Sequence, residues 1–243
     1  MMAAPTDLLG KEKQILPAVN IQNLWVGELA VAGIMSWMTK PILYSFRRCP
    51  YAMRARMALL QAEQTVELRE IVLRDKPAAF FEASPSASVP CLLNDSEVLD
   101  ESLDVMKWAL ERNDPDGWLD MSEEGWDWIA RADGPFKDAL DRTKYAPRYP
   151  GVDPLEHRAL AATFLADLDA QIETWIFDRE TLADHAILPF VRQFAFIDKS
   201  WFDAQPWPSL QAWLERYLAS EAFGAIMPKY PQWAEGETGV PFP

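Results

Sequence analysis

Pro41-Ile42-Leu43-Tyr44-Ser45-Phe46-Arg47-Arg48-Cys49-Pro50-Tyr51-Ala52 is the stretch on which the fold turns. Ile42-Leu43-Tyr44 is a short apolar run that reads as a buried strand. Tyr51 to Ala62 is rich in Ala, Met and Leu and reads as a helix, with Ala52, Ala55, Leu59 and Leu60 available for packing. Pro50 suits the first helical position, where its missing N–H costs nothing, so Cys49 becomes the cap with its sulfur facing unpaired backbone donors. Those donors favour the thiolate. A helix N-terminus with nearby cations brings a cysteine from its free pKa of about 8.5 to roughly 3.5 to 7.5. Arg47, Arg48, Arg54 and Arg56 supply such cations, so Cys49 is expected to be ionised and reactive. Ala52 stands where a Cys-x-x-Cys pair would place its second thiol, so any disulfide made here is with something else.

Outward from this stretch the periodicity keeps switching as far as Leu110. Val66 to Val72 reads as a second strand, and Pro77-Ala78-Ala79-Phe80-Phe81 as a brief helix opened by proline. Val89-Pro90-Cys91-Leu92-Leu93 and Glu97-Val98-Leu99 flank Asn94-Asp95-Ser96, which has turn composition, and read as a hairpin. Leu103, Met106 and Leu110 follow at helical spacing after Glu101-Ser102. The predicted order is βαβ, a short helix, then ββα. Asn113-Asp114-Pro115-Asp116-Gly117 is a cluster of breakers that reads as a domain linker, and beyond it only helices are expected. Glu156 to Trp175 carries Leu160, Phe164, Leu168 and Ile172 at spacings of four, read as one buried stripe. Thr181-Leu182-Ala183-Asp184 resembles a capping box with the acid shortened, and Ser209 to Tyr217 offers a further helix.

The order of elements, the cysteine at the first helix and Val89-Pro90 opening the third strand resemble the thioredoxin-like domain of glutathione transferases. Phe46-x-x-Cys49-Pro50-Tyr51-Ala52-x-Arg54-x-Arg56 is similar to the active-site run of omega-type members and of glutaredoxin-like relatives. Lys76-Pro77-x-x-Phe80-Phe81, Val89-Pro90 and Glu101-Ser102 follow in the family's order, and Thr181 to Asp184 and Pro206-Trp207-Pro208-Ser209-Leu210-x-x-Trp213 resemble its helical domain. The resemblance covers roughly residues 41–228. It implies an α/β thioredoxin-like N-terminal domain followed by an all-α C-terminal domain. The boundaries read as 41–112 for the glutathione-binding domain and 118–230 for the helical substrate domain, with a poorly ordered N-terminal extension over 1–40 and a C-terminal tail over 231–243.

The resemblance also implies roles. It makes the Val89–Pro90 bond cis, turning the backbone of Val89 toward the thiol, where its N–H and C=O would pair with the cysteinyl amide of glutathione as an added strand does. Glu101 and Ser102 open a helix whose donors suit the γ-glutamyl carboxylate, and Glu101 would receive the ammonium. Lys76 would meet the glycyl carboxylate, and Phe46, Tyr51 and Pro90 complete the expected glutathione site around catalytic Cys49. Tyr51 would either donate to a thiolate or pack, and Arg54 and Arg56 would be either a solvated helix face or direct participants. Cys91, inside an apolar strand, is read as core.

The expected reaction is glutathione-dependent thiol transfer or reduction through a mixed disulfide on Cys49, of thioltransferase or dehydroascorbate reductase type. Its rivals are conjugation of glutathione to electrophiles, and a binding or regulatory protein that has lost turnover. Glutathione is then the co-substrate, with a small molecule or a protein thiol as second substrate, and the resemblance implies a homodimer. The 37 acidic residues against 23 basic ones give a net charge of -14, which opposes attraction to nucleic acid or anionic membrane. Two cysteines suit a reducing, cytoplasmic location rather than a disulfide-stapled fold. Leu24 to Met38 is too short for a bilayer helix and is interrupted by Glu28. Translation is expected to begin at Met35 or Met38. His157 and His185 lack metal-ligand spacing, so no metal is inferred. Among the 11 tryptophans, Trp118, Trp126, Trp128 and Trp233 are candidates for the second-substrate pocket, against a default of core packing.

Overall fold

The computed structural model describes residues 40–95 and 97–243. The expected N-terminal extension, with the start sites at Met35 and Met38, lies outside the described residues. Among the described residues no helix is long and apolar enough to cross a membrane.

Strand β1 (Ile42–Ser45) lies at the centre of a five-stranded sheet. It runs parallel to β2 (Val66–Glu70) and antiparallel to β3 (Cys91–Leu93), which pairs in turn with β4 (Val98–Leu99). A fifth strand, β5 (Val240–Phe242), closes the other edge against β2, giving the order β4-β3-β1-β2-β5. Residues read as a tail beyond the helical domain therefore return to the first sheet. Pro241 is tolerated because β5 is an edge strand, where a missing donor breaks no interior ladder.

The period of two along each strand sorts the side chains. Leu43, Leu68 and Leu92 are register partners on one face, joined by Val66 and its partner Phe242, and all belong to the main core. Their neighbours Tyr44 and Cys91 point to the other face, where they meet Phe80, Val89 and Trp233 in a smaller cluster. Helix α1 (Pro50–Gln61) packs on α3 (Ser102–Leu110), while α2 (Ala78–Ala83) supplies Phe80 to the opposite cluster. The predicted βαβ, short helix, ββα order holds, with β2 ending at Glu70 rather than Val72.

Helix α1 is buried almost all round, because it is enclosed by the sheet, α3 and the helical half of the molecule. Ala52, Ala55 and Leu59 are fully buried, as their spacing predicts. Arg54 and Arg56 depart from the solvated-face reading, each only 1% exposed. Ala52, Ala55 and Ala58 let neighbouring elements approach closely, so long side chains between them have no route to solvent.

The breaker cluster at 113–117 is an ordered turn in which the Asp114 carboxylate accepts the N–H groups of Trp118 and Leu119 at 2.8 and 2.9 Å. Beyond it, α4 (Glu123–Arg131) passes through a π-helical segment, Ala132–Phe136, into α5 (Lys137–Lys144). Pro135 lies inside that segment, where the wider turn absorbs the helical bond it cannot donate. A 3-10 turn, Ala146–Arg148, leads toward α6 (Pro154–Gln171). The predicted stripe on α6 fails at one end, since Leu160 is 61% exposed while Ala161, Phe164, Leu165 and Leu168 are buried. A strict spacing of four overshoots the 3.6-residue turn by about 40° per step, so residues chosen that way drift off the buried face.

Helix α7 (Leu182–Ala195) begins at the predicted capping box, with Asp184 reaching back to the Thr181 N–H at 2.9 Å. The fully buried carboxylate also accepts the Ile176 N–H and the Trp213 indole N–H, both at 3.0 Å. Helices α8 (Lys199–Asp203), α9 (Pro208–Ala219) and α10 (Glu221–Ile226) complete the helical half, and α9 contributes Leu210, Trp213 and Leu214 to the core.

Candidate functional site

The site forms where the β1–α1 loop meets α5. Cys49 is the N-cap of α1, in extended backbone (φ -74°, ψ 124°), with Pro50 opening the helix behind it as the sequence predicts. The Val89–Pro90 bond is cis, and the half-buried Cys49 thiol donates to the Val89 carbonyl at 3.6 Å. The backbone N–H groups of Tyr51 and Ala52 point at the sulfur, and the charges of Arg56 and Lys137 reach it.

These groups pull the thiol toward ionisation, yet burial outweighs them and pushes its pKa above the ordinary cysteine value. The expectation of a lowered pKa is corrected here. The cause is desolvation of the sulfur, and the arginines expected to oppose it are committed to other partners. Arg54 forms a bidentate pair with Asp133 of the π-helical segment, at 2.5 and 3.0 Å. Its Nε donates to the Ala186 carbonyl at 2.6 Å, and its Nη1 reaches the Ser102 hydroxyl at 3.3 Å. Arg54 thus ties α1 to both halves of the molecule and is spent on that junction.

Arg56 donates to the Ser45 hydroxyl at 2.5 Å and to the Arg47 carbonyl at 2.7 Å. From the other side, the Glu70 carboxylate accepts the Arg47 N–H at 2.6 Å. Both backbone polar groups of Arg47 are therefore gripped, which fixes the loop that presents Cys49. Sequence reasoning missed this clamp, because Glu70 lies at the end of β2 and carries no motif.

A cleft of about 410 Å³ opens beside the sulfur, lined on the loop side by Phe46, Arg48, Cys49, Tyr51 and Leu73 and on the helical side by Lys137, Asp141, Lys144, Tyr145, Arg148 and Gln193. Tyr51 packs edge-on against Phe190 at 4.8 Å, with the Lys137 ammonium 5.5 Å from its ring centre. Burial and the nearby Asp133 push the Tyr51 hydroxyl up to about 12. Phe46 and Tyr51 thus both line the cleft beside Cys49. The tryptophans follow the core-packing default: Trp118, Trp128 and Trp233 are buried and Trp126 packs on the core, and none lines this cleft.

The other predicted residues lie outside this cleft. Val89 and Pro90 are buried on the sheet side, and Ser102 is buried at the start of α3 with exposed Glu101 as its N-cap. Lys76 is half-buried, and its ammonium donates to the Ala87 carbonyl at 2.7 Å, tying down the loop that leads into Val89–Pro90. Cys91 is fully buried, its thiol pushed up to about 11 mainly by desolvation. His185 is stacked on Trp118 at 3.7 Å and hydrogen-bonded to Glu180 at 2.7 Å, and it does not line the cleft.

Comparison with known proteins agrees with this architecture. The glutathione S-transferase N-terminal domain family matches residues 43–117. A probable glutathione transferase of Aplysia californica is 36% identical over 70 residues, spanning 29% of this chain and 75% of that protein. The fold is shared with a glutathione transferase family member from Pseudomonas fluorescens solved with two glutathione bound: 21% identity, 77% of this chain, 92% of that one, TM-score 0.66. It is shared as well with glutathione transferase Omega 3C from Trametes versicolor: 16% identity, 80% of this chain, 88% of that one, TM-score 0.65. With residues 43–117 matched by the family and 75% of a relative covered at 36% identity, this chain of a thioredoxin-like sheet domain and a helical domain belongs to the glutathione S-transferase family.

Proposed function

We propose that this protein is a glutathione-dependent thiol transferase that works through a mixed disulfide on Cys49. The observation that carries the reading is the placement of one sulfur: it caps α1, borders an open cleft, and lies 3.6 Å from the carbonyl of Val89. A cysteine so placed can attack a disulfide, where a serine or tyrosine hydroxyl cannot.

In the first step Cys49 loses its proton and the thiolate attacks the glutathionyl sulfur of a substrate disulfide. The Cys49–glutathione S–S bond forms, the substrate S–S bond breaks, and the substrate thiolate leaves and takes up a proton. In the second step the thiolate of free glutathione attacks the glutathionyl sulfur, releasing Cys49 and glutathione disulfide. In sum one free glutathione is consumed: its sulfur and the glutathionyl half of the substrate leave as glutathione disulfide, and the other half of the substrate leaves as the free thiol. Glutathione would lie along the Val89 backbone with its γ-glutamyl end at Glu101 and Ser102. Lys76 would act at the glycyl end once released from Ala87. The resting thiol is mostly protonated, so the pH dependence of the first step follows Cys49, and its rate rises with pH. A less acidic thiol is the stronger nucleophile once ionised, which offsets part of that loss.

The raised pKa also favours a second reading. A neutral Cys49 S–H at a helix N-terminus can donate to a glutathione thiolate, and that arrangement serves conjugation to an electrophile. Intact-protein mass after exposure to glutathione disulfide separates the readings. One glutathione adduct mapped to Cys49, together with turnover lost in Cys49→Ser, is the expected result. No adduct between pH 7 and 9, with conjugation retained in Cys49→Ser, selects the second reading and overturns the first. We also propose that the chain pairs with a second copy of itself, which sedimentation velocity tests directly.

A further inference from the structure

The helical wall of the cleft carries a charge that thiol exchange does not require. Lys137, Lys144 and Arg148 line it, Arg48 faces them from the loop side, and Asp141 is the one carboxylate among the residues lining the cleft. That acid is already paired with Lys137. Among the described residues, Arg48, Lys144 and Arg148 form no ion pair with a carboxylate. The Lys144 ammonium is pushed below its ordinary pKa by desolvation; Asp141 is the strongest single charge acting on it and opposes the shift, while Lys137, Arg192 and Arg48 add to it. Four cations against one carboxylate leave the lining of the cleft with a net positive charge. This happens in a chain of net charge -14, where a cleft lined without selection would hold more acids than bases.

Two of the cations are also held in place. Tyr145 ends α5, and the 3-10 turn after it brings Arg148 back over the Tyr145 ring at 4.4 Å, with the Lys144 ammonium 5.2 Å from the same ring centre. An aromatic platform orients both without neutralising either. None of Lys76, Val89, Glu101 and Ser102 lines this cleft, so these cations are additional to the groups proposed for glutathione.

We infer that the second substrate is an organic anion, a mixed disulfide of glutathione whose non-glutathione half bears one or more carboxylates. Each carboxylate meets Arg148, Lys144 or Arg48 while the reacting sulfur lies against Cys49. A cleft of about 410 Å³ suits a small molecule rather than a protein segment. This inference rests on the thiol-transfer reading, and its test is built to fail separately from it.

The probes are four mixed disulfides of glutathione, made with cysteamine, 2-mercaptoethanol, 3-mercaptopropionate and mercaptosuccinate. Their acceptor halves run from one positive charge through neutral to two negative charges. Glutathione reduces each to the free thiol and glutathione disulfide. The kcat/KM should rise along the series by about fivefold per charge, carried by KM, since a partly solvated ion pair is worth on the order of 1 kcal/mol. Added salt should flatten the series, and so should Lys144→Met combined with Arg148→Met. Calorimetry on Cys49→Ser measures binding of the same compounds without reaction. Affinity that rises with negative charge supports the inference even if the wild-type protein turns none of them over, in which case the thiol-transfer reading falls alone. Turnover with affinity indifferent to charge, or highest for the cysteamine compound, overturns the inference and leaves thiol transfer standing.

Discussion

The two walls of the cleft are made in different ways. The loop wall presents its sulfur through backbone chemistry: Cys49 caps α1, with the cis Val89–Pro90 bond and the Val89 carbonyl, 3.6 Å from the sulfur, behind it and outside the cleft. The helical wall is side-chain chemistry, with cations projecting from α5 and the turn after it. Backbone groups can serve any substrate that presents a sulfur, while charged side chains discriminate among substrates. On the proposed reading, reactivity is carried mainly by the loop wall and selectivity mainly by the helical wall, with Lys137, which also acts on the Cys49 thiol, joining the two.

The strongest attempt to break this division is Cys49→Ala. Thiol-transfer turnover should fall by about three orders of magnitude or more, as removal of a nucleophile does elsewhere. Glutathione affinity, measured by calorimetry, should change little. Retained turnover would mean the loop wall is not the reactive one.

Next in size is Asp184→Ala, which tests whether the helical wall stands on a rigid base. The change strands the buried donors of Ile176, Thr181 and Trp213. Urea unfolding should show a loss of about 3–5 kcal/mol, since each stranded buried donor costs roughly 1–3. A loss under 1 kcal/mol would show that this half is anchored elsewhere.

Asp133→Asn attacks the seam between the walls. It leaves Arg54, which is 1% exposed, with a charge no longer matched. We expect about 2–3 kcal/mol of destabilisation, below the 3–5 of a fully buried pair because Asp133 is 29% exposed. A matching rise in glutathione KM should accompany it, because Ser102 shares the Arg54 donor. Thermal and kinetic data that fail to move together would separate the seam from the site.

The smallest effect concerns protons. Burial raises the Cys49 pKa and Lys137 lowers it, so Lys137→Met should move the thiol titration further up, by under one pH unit. Absorbance of the thiolate near 240 nm, or the pH dependence of alkylation by iodoacetamide, reads the midpoint. The wild-type midpoint should already lie above the free-cysteine value of about 8.5. A midpoint below 7 would restore the ionised thiol that the sequence predicts.

What could be read from the sequence was what local chemistry decides. The strand at Ile42, the Pro50-opened helix, the hairpin around Asn94 and the box from Thr181 to Asp184 each depend on residues a few positions apart, and all are present. Arg54 and Arg56 could not be placed that way. The partners that bury Arg54 lie 79 and 132 residues further along, so nothing beside it in sequence distinguishes it from a solvated arginine. Burial of Cys49 depends on the same distant packing, which is why the sign of its pKa shift was misread. The helical wall was missed because Lys137, Lys144 and Arg148 resemble ordinary surface residues until α5 is docked beside the β1–α1 loop. Strand β5 carries too few residues to show a period, and Pro241 argues against a strand until its edge position is known.

That returning strand has a consequence for how the molecule is made. Gly239 meets Glu67 across 172 residues of chain, and a Cβ at Gly239 would stand 2.5 Å from the Leu68 carbonyl oxygen. The flank of β2 thus stays bare throughout synthesis of everything between, an open ledge on which another nascent chain can settle. Small substitutions at this late seam should depress soluble yield in cells more than they depress the melting temperature of the protein that survives.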